Sequence, residues 1–405
     1  MADAPGSDGV RRLVVVGASL AGLRAIEAVR RDGYDGSVVL IGAEEHLPYD
    51  RPPLSKAFLT GAADRADLDL LAPADDALDL TFRLGVAATA LRAAERTVVL
   101  ADGSELVADG VVLATGARAR TLTGLGAPLG VHTLRTVDDA IALRDDLGRS
   151  GSLVVVGGGF IGAEVASSAR SLGLAVTVVE ALGTPLAGPL GPQLGAVSAA
   201  LHADHGVRLL TGTGVSRLVG DDRVTAVELA DGTSLPADVV VVGVGAQPNL
   251  EWLAGSGVEL DGGVVTDASC ATNVPGVVAV GDCASSYDPM LGRHRRIEHW
   301  THALQQPATA AATLLGSRPA PSYTAAPYFW SEQYGRQLQL AGSHQPGDAV
   351  TVVEGSTDSR SFVATYERDG RLVAVLGLDA GGAFARWRRT LRTQHAALAA
   401  ALPAP

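Results

Sequence analysis

Two glycine-rich segments, each directly after a short valine-rich run, constrain the fold of this chain more than any other feature. The first is GASLAG at residues 17–22, and the second is GGGFIG at residues 157–162. The valine-rich runs predict buried strands, and the glycines predict a tight turn from each strand into a helix. Such a turn can bind the pyrophosphate of a dinucleotide on the N–H groups at the start of the helix.

The valine-rich runs recur in a strand–helix–strand rhythm, which predicts parallel sheets covered by helices. Predicted strands at residues 12–17 and 37–42 flank the first helix, and predicted strands at residues 152–158 and 175–180 flank the second. Residues 238–245 predict a further parallel strand. The fold class is therefore predicted as α/β, with two Rossmann-like dinucleotide-binding domains.

The remaining segments have a different pattern. Residues 96–115 and 222–242 alternate around DG turns, which predicts two small antiparallel insertions. After about residue 325, alternating segments with hairpin turns are followed by a closing helix. This last part predicts a C-terminal α+β domain.

An acidic residue follows each turn at the end of the second strand, where a carboxylate can accept hydrogen bonds from a ribose 2′-OH. In the first unit Glu44 is favoured over Glu45, and in the second unit the acid is Glu180. Glu180 would repel a 2′-phosphate, which predicts NADH in preference to NADPH. Ser19 replaces the middle glycine of the first turn but is small enough for a pyrophosphate to approach. Two dinucleotides in one chain predict electron transfer between a flavin and a nicotinamide.

Composition excludes several classes of function. A net charge of −12 argues against a broad basic surface for nucleic acid or an anionic membrane. The two cysteines, Cys270 and Cys283, are too few for a disulfide framework or a four-ligand metal site, and their spacing matches no redox pair. The start of the chain predicts no secretion signal, and no apolar run is long enough to predict a membrane span. A soluble cytoplasmic protein is expected.

One residue type is conspicuous by its rarity. The chain has 32 basic residues, and Lys56 is the only lysine among them. A lone lysine in a chain that otherwise uses arginine indicates a position that needs a compact ammonium group instead of a planar guanidinium. Chance is the alternative explanation.

The segment LPYDRPPLSK at residues 47–56 resembles the NADH-dependent ferredoxin reductases that serve bacterial oxygenases. Further matching segments, in the family order and over nearly the whole chain, are ATGAR at 114–118, LRT at 134–136, GGGFIGAEVA at 157–166, GVGAQPN at 243–249, AVGDCA at 279–284, RIEHW at 296–300 and PYFWSEQY at 327–334. The resemblance implies a glutathione-reductase-like fold with FAD and NADH as cofactors. The predicted domains are an FAD-binding domain at 1–115 and 245–322, an NADH-binding domain at 116–244, and a C-terminal α+β domain at 323–405.

The resemblance also implies roles for individual side chains. Lys56 would lie near the reactive edge of the flavin, Glu164 would face the nicotinamide and pair with Lys56, and Trp330 would lie toward the electron partner. These three are the predicted catalytic residues. Arg135 would contact the FAD, and Asp282 would bind its ribityl chain. The other predicted cofactor-binding residues are Gly17, Ala18, Ser19, Ala21, Gly22, Ala43, Glu44, Arg51, Val86, Ala114, Thr115, Gly116, Gly157, Gly159, Phe160, Ile161, Gly162, Glu180, Gly245, Gly281, Glu298, His299 and Trp300.

Each of these predictions has a purely structural alternative. Lys56 can be a surface charge, and Asp282 can be a helix N-cap. Glu164 can stabilise the positive end of a helix dipole, and Trp330 can be a core residue. The ribose contact is left open between the Ala43 backbone and the Glu44 side chain.

The route by which electrons leave is inferred from what the first unit lacks. Residues 45–56 contain no cysteine pair, so electrons would pass from the flavin directly to a one-electron acceptor. The expected partner is a 2Fe-2S ferredoxin that feeds a haem monooxygenase or a Rieske oxygenase. The protein itself is expected to be a monomer or a weak homodimer. The alternatives are an NADH oxidase, a rubredoxin reductase, or a redox-sensing flavoprotein like apoptosis-inducing factor.

Two arginine clusters would attract an acidic ferredoxin, unless they are merely solvated: Arg293, Arg295 and Arg296, and Arg386, Arg388, Arg389 and Arg392.

Overall fold

The computed structural model describes residues 10–71, 78–126, 128–317 and 321–400. Residues 1–9, the start of the chain for which no secretion signal is predicted, lie outside the described residues. Residues 401–405, at the end of the predicted C-terminal domain, also lie outside them. The α-helices are α1 (Leu20–Arg31), α2 (Val137–Leu147), α3 (Phe160–Ser171), α4 (Ala187–Asp204), α5 (Trp300–Leu314) and α6 (Gly381–Ala400).

The strands form two parallel sheets, a C-terminal antiparallel sheet and smaller antiparallel or mixed sheets. They are β1 (Arg12–Val16), β2 (Ser37–Ile41), β3 (Leu80–Arg83), β4 (Ala88–Arg92), β5 (Thr97–Leu100), β6 (Glu105–Val107), β7 (Gly110–Leu113), β8 (Ala117–Ala119), β9 (Val131–His132), β10 (Ser152–Val156), β11 (Ala175–Glu180), β12 (Arg208–Thr211), β13 (Val215–Val219), β14 (Ala226–Leu229), β15 (Ser234–Pro236), β16 (Val239–Val242), β17 (Ala246–Pro248), β18 (Val264–Thr266), β19 (Val277–Ala279), β20 (Ala284–Asp288), β21 (Arg293–Arg296), β22 (Tyr328–Gln333), β23 (Arg336–Gly342), β24 (Ala349–Ser356), β25 (Ser361–Arg368) and β26 (Arg371–Leu378).

The first parallel sheet has the strand order β19-β7-β1-β2-β3. Its central strand β1 is buried on both faces, which explains its continuous run of apolar residues. Leu13 and Val15 point into a core shared with α1 and α5, whereas Val14 and Val16 point into a core shared with the small sheet β4-β5-β6. The sheet is therefore covered by helices on one side and by an antiparallel insertion on the other.

The second parallel sheet repeats this design with the order β12-β11-β10-β16-β9. Leu153 and Val155 of β10 pack in one core with α2 and α3, and Val154 and Val156 pack against the small sheet β13-β14-β15. The prediction of two Rossmann-like units is confirmed.

The prediction for residues 96–115 was wrong in part. Strands β5 and β6 do lie in an antiparallel insertion, but β7 is a parallel strand between β1 and β19 in the first sheet. All four residues of β7 are buried, because both faces of that sheet are covered. The neighbouring DG turns favour a hairpin at this position. The strand sequence GVVL, however, does not alternate between polar and apolar residues.

The C-terminal part is an antiparallel sheet of order β22-β23-β26-β25-β24, as predicted for an α+β domain. Helix α6 packs on one face through Phe384 and Leu391, and α4 of the second unit packs on the other face. The Tyr366 hydroxyl donates to the Leu190 carbonyl at 2.7 Å across that second contact. Strand β22 is thereby placed beside α3.

Across the described ranges, every helix is too short or too polar to span a bilayer.

Candidate active site

A cleft of about 1240 Å³ opens where the two parallel sheets and the C-terminal sheet meet. Its lining includes the residues that end or directly follow β1, β2, β7 and β16, together with the start of α3 after β10 and part of β22. Ligands of open α/β sheets bind at these carboxyl ends of the strands, where the turns leave a crevice. The position of the cleft therefore follows from the topology.

The first glycine-rich turn is shaped for close contact between backbone segments. Gly17 has a φ of +124°, and a Cβ atom there would lie 2.0 Å from the Ala114 carbonyl oxygen. A Cβ atom on Gly22 would lie 2.1 Å from the Gly17 carbonyl oxygen, so this glycine lets α1 pack against the turn. Ser19 makes no side-chain cap, and the first turn of α1 has no acidic residue. The open N–H groups at the start of α1 fit the pyrophosphate of FAD.

The second turn repeats this geometry at the start of α3. A Cβ atom on Gly157 would lie 2.4 Å from the Gly243 carbonyl oxygen, and one on Gly162 would lie 2.1 Å from the Gly157 carbonyl oxygen. The N-cap residue of α3 is Gly159, which has no side chain that could cap the first N–H groups of the helix. The N–H groups at the start of α3 therefore fit the pyrophosphate of NADH.

The acid of the second unit braces its own turn. Glu180 Oε2 accepts a hydrogen bond from the Gly158 N–H at 2.8 Å, and Oε1 accepts one from the Leu182 N–H at 2.8 Å. Each oxygen keeps a lone pair, so both contacts are compatible with the predicted ribose hydrogen bonds.

The acid of the first unit is held by side chains instead. Glu44 Oε1 accepts from Arg51 Nη2 at 2.7 Å, and Oε2 accepts from the Tyr49 hydroxyl at 2.5 Å. Arg51 also donates to the Arg135 carbonyl oxygen at 2.6 Å. Burial raises the pKa of Tyr49, which keeps its hydroxyl protonated as a donor. Arg51 thus joins the acid at the end of β2 to the segment that precedes α2.

Arg135 and Asp282 are two charged residues of the cleft that contact each other. Arg135 Nη2 donates to Asp282 Oδ2 at 2.6 Å, and both residues line the cleft. The N-cap of the short 3-10 helix Gly281–Cys283 is Val280, so the carboxylate of Asp282 is held by Arg135 and caps no α-helix.

Lys56 and Glu164 meet where the two units face each other. Lys56 Nζ donates to Glu164 Oε2 at 2.8 Å and to the Pro52 carbonyl oxygen at 3.1 Å. The Lys56 side chain is 16% exposed and that of Glu164 is 4% exposed, so Lys56 is no surface charge. Both residues line the cleft, which places one cation and one anion between the two turns.

A group of aromatic side chains forms the wall beside this pair. Trp300 and Trp330 pack edge to face with ring centroids 5.6 Å apart, and Trp300 Nε1 donates to Asp50 Oδ1 at 2.7 Å. Burial raises the pKa of Asp50, while the Trp300 hydrogen bond opposes that rise. Burial lowers the pKa of His299 to about 4, so its imidazole is neutral near pH 7.

Most of the predicted site residues line the cleft, and the others support it. Val86 packs into the core below the lining residues Ala87–Thr89, and Glu180 braces its turn. The predicted residues in the lining are Gly17, Ala18, Ser19, Ala21, Ala43, Glu44, Arg51, Lys56, Ala114, Thr115, Gly116, Arg135, Gly159, Phe160, Ile161, Glu164, Gly245, Asp282, Glu298, His299, Trp300 and Trp330. The predicted residues outside the lining are Gly22, Val86, Gly157, Gly162, Glu180 and Gly281.

Sequence reasoning missed several lining residues. Tyr49, Asp50 and Ser55 all lie in LPYDRPPLSK, so the segment was recognised while the individual contacts were not. Trp252 and Phe329 also line the cleft. Phe329 lies inside the PYFWSEQY match, but no motif pointed to Trp252.

The two cysteines are buried and lie outside the cleft lining. Burial raises the pKa of the Cys283 thiol, which keeps it protonated and unreactive. The described part of the lining therefore carries no thiol.

The two arginine clusters differ in how much charge they present. Arg295 pairs with Asp288 at 2.5 Å and is largely buried, and Arg296 pairs with Glu298. Arg293, the remaining member of this cluster, is exposed. On α6, Arg386 pairs with Glu354 at 2.7 Å, whereas Arg389 and Arg392 are both exposed. Arg388 stacks over the Tyr328 ring at 3.6 Å, and that ring packs 6.1 Å from Trp330. The cluster on α6 is therefore the better candidate for attracting an acidic partner.

Comparisons with known proteins agree with this geometry. Residues 11–307 match the family model of pyridine nucleotide-disulphide oxidoreductases, and residues 328–405 match a reductase C-terminal domain. The ferredoxin reductase component of a chlorobenzene dioxygenase from Cupriavidus sp. (strain PS12) is 39% identical, over 95% of this chain and 93% of its own length. Rhodocoxin reductase from Rhodococcus erythropolis is 39% identical, over 90% of this chain and 85% of its own length.

A solved structure is similar over the same extent. The covalent putidaredoxin reductase–putidaredoxin complex matches with a TM-score of 0.90 and 35% identity, covering 95% of this chain and 93% of that chain. The chain belongs to the pyridine nucleotide-disulphide oxidoreductase family and, within it, to the ferredoxin–NAD(+) reductases, flavoenzymes that bind FAD and NADH.

Proposed function

We propose that this protein takes hydride from NADH on bound FAD and delivers single electrons to a 2Fe-2S ferredoxin that supports a haem monooxygenase or a Rieske oxygenase. The observation that carries the proposal is the Lys56–Glu164 pair, which lies in one cleft with both nucleotide turns. The relatives are named as ferredoxin reductase components of oxygenase systems, which supports the acceptor.

The residues of the cleft divide into two binding surfaces. Residues at the start of α1, together with Arg51, Arg135 and Asp282, would hold FAD. Residues at the start of α3, with Glu180 behind them, would hold NADH. The flavin, when bound, supplies the ability to accept a hydride and to release electrons one at a time.

The tasks of the side chains follow from their chemistry. Lys56 presents a compact positive charge to a site where negative charge develops, and such a preorganised charge lowers the barrier to its formation. Glu164 keeps the ammonium group fixed at 2.8 Å. Trp300 and Trp330 exclude water from the adjoining wall. Trp330 packs beside Tyr328, and the Tyr328 ring stacks in turn with Arg388 of α6. We infer that the ferredoxin docks at this side.

The test combines flavin analysis with anaerobic stopped-flow kinetics. The purified protein should be yellow and should release its FAD on acid precipitation, as expected for FAD that is held non-covalently. NADH should bleach the flavin faster than NADPH, and the reduced protein should then reduce a 2Fe-2S ferredoxin such as putidaredoxin.

Three outcomes would overturn the proposal. Oxygen consumption as fast without ferredoxin as with it would indicate an NADH oxidase. Transfer to rubredoxin but to no 2Fe-2S protein would indicate a rubredoxin reductase. Slow flavin reduction with NADH-induced dimerisation would indicate a redox sensor.

A further inference from the structure

We propose that Ser331 is a positioning residue for hydride transfer, which acts by fixing the Glu164 carboxylate against Lys56. The proposal rests on the function proposed above and deepens it, since it assigns a role to a residue outside the nucleotide turns. Ser331 lies in β22 of the C-terminal sheet, is fully buried, and follows Trp330 directly.

The Glu164 carboxylate accepts hydrogen bonds from four groups. Oε1 accepts from Ser331 Oγ at 2.6 Å and from the Glu332 N–H at 3.4 Å. Oε2 accepts from Ser55 Oγ at 2.5 Å and from Lys56 Nζ at 2.8 Å. A buried carboxylate is tolerated only when it is paired and hydrogen-bonded, and here a hydroxyl group holds each oxygen.

These hydrogen bonds also fix the orientation of the Glu164 carboxylate relative to Lys56. Lys56 supplies charge, but its flexible stem allows the ammonium group many positions. The two hydroxyl groups each bind a different oxygen of the carboxylate, so the orientation of the carboxylate does not depend on Lys56 alone. Gln333 Nε2 donates to Ser331 Oγ at 3.1 Å, which orients the Ser331 hydroxyl toward Glu164 as donor. Loss of the Ser331 hydroxyl would let the carboxylate turn away from Lys56.

A neighbouring serine of α3 contacts the C-terminal segment without contacting Glu164, so its contribution to domain contact can be separated from the positioning of Glu164. Glu164, Ser167 and Ser168 lie on one face of α3, at the i, i+3 and i+4 positions. Ser167 Oγ accepts from the Tyr334 N–H at 2.7 Å, just beyond the end of β22. Ser168 Oγ donates to the Ser55 carbonyl oxygen at 2.7 Å. Ser167 therefore joins α3 to the same C-terminal segment as Ser331 does, without contacting Glu164.

Ser331→Ala and Ser167→Ala are accordingly matched variants. Each removes one hydrogen bond between α3 and the C-terminal sheet, but only Ser331→Ala changes the support of Glu164. A hydrogen bond to a charged group is typically strong enough that its loss changes an equilibrium by about tenfold or more. We expect the limiting rate of flavin reduction at saturating NADH to fall by about tenfold in Ser331→Ala, with FAD content and the KM for NADH near wild-type values. Ser167→Ala should stay within about twofold of wild type.

A second readout avoids the reaction altogether. Lys56 is the only lysine, so mass spectrometry can follow the acetylation of its side chain by acetic anhydride in the FAD-containing holoenzyme, separately from that of the N-terminal amine. Labelling requires the ion pair to open, and loss of the Ser331 hydrogen bond should raise the labelling rate by about tenfold. Ser167→Ala should label at the wild-type rate.

The outcomes separate this inference from the proposed function. Equal labelling of Lys56 in Ser331→Ala and wild type would overturn the positioning role whatever the physiological electron acceptor. An equal fall in flavin reduction for both serine variants would also overturn it, because it would show mere loss of domain contact. Faster labelling in Ser331→Ala alone, in a protein that reduces no ferredoxin, would uphold the positioning of Glu164 and refute the proposed function.

Discussion

The two nucleotide-binding units share the order of four strands, β7-β1-β2-β3 and β16-β10-β11-β12, and a glycine-rich turn, yet they hold their acidic residues differently. In the first unit Glu44 is bound by Arg51 and Tyr49, and Arg51 continues the network to the backbone of Arg135. In the second unit Glu180 contacts the backbone of its own turn and of Leu182. A network that spans distant segments suits a cofactor that stays bound, whereas a local contact suits a nucleotide that exchanges in every cycle.

The largest effect should come from breaking the network of the first unit. Arg51→Gln would leave Glu44 without its cation in a half-buried site, and we expect FAD affinity to fall by roughly a hundredfold, or about 2.7 kcal/mol. The ratio of flavin to protein absorbance after gel filtration measures the loss. Arg83→Gln is the control, because Arg83 pairs with Asp102 at the edge of the same sheet. Full flavin content in Arg51→Gln would contradict the idea of a resident-cofactor network.

The next effect concerns the residue between the two units. Lys56→Met should slow flavin reduction by NADH by about a hundredfold, since loss of a charged donor to a developing anion typically costs about 2.7–4 kcal/mol and partial exposure reduces that figure. FAD content should stay near normal, because the Arg51–Glu44 network that we propose to support FAD does not include Lys56. Lys56→Arg should recover only part of the rate. Stopped-flow reduction measures both variants, and a wild-type rate in Lys56→Met would make this lysine incidental.

A smaller change should follow from altering the acid of the second unit. Glu180→Ala combined with Leu182→Arg removes a carboxylate and adds a cation, so the ratio of kcat/KM for NADPH to that for NADH should rise by roughly ten- to a hundredfold. Leu182 is 63% exposed, so the substitution should not disturb the core. Leu182→Arg alone keeps the repulsive carboxylate and should shift the ratio less. Equal use of NADH and NADPH by the wild type would argue against the role of Glu180.

The smallest effect should lie outside both units, on α6. Arg389→Ser with Arg392→Ser should lower the rate constant for ferredoxin reduction by a factor of about three to ten at low salt, and by less at high salt, because steering between charged surfaces is screened by ions. Arg92→Ser with Arg217→Ser removes the same charge from the two antiparallel insertions and serves as the control. Identical rates at all salt concentrations would exclude steering by α6.

The sequence was sufficient for those parts of the molecule that local rules determine. Valine-rich runs and glycine turns predicted β1, β2, β10, β11 and β16, because these features depend on neighbouring residues, whereas β3, β9, β12 and β19 were not predicted. Strand β7 was misassigned, since its place between β1 and β19 depends on a pairing with residues far along the chain. The Lys56–Glu164 pair was anticipated only from the family resemblance.

The missed contacts have the same physical cause. Ser331 is separated from Glu164 by 167 positions, and Asp50 from Trp300 by 250 positions. No periodicity or motif reports a hydrogen bond over such a distance, although each partner lies in a segment that was singled out. The sequence thus identified the segments of the site, and only the fold showed which atoms meet.

The pairing of β19 with β7 also has a consequence for how the protein is made. The second parallel sheet is built from residues 131–242 and can form as soon as that stretch has left the ribosome. The first sheet begins at Arg12 yet lacks its edge strand until Val277–Ala279 has been synthesised, and closing so long a loop is slow. We therefore expect the unit encoded later to fold first, and FAD to be taken up only near the end of synthesis, when Asp282 and Trp300, which we propose to contact FAD, have also emerged.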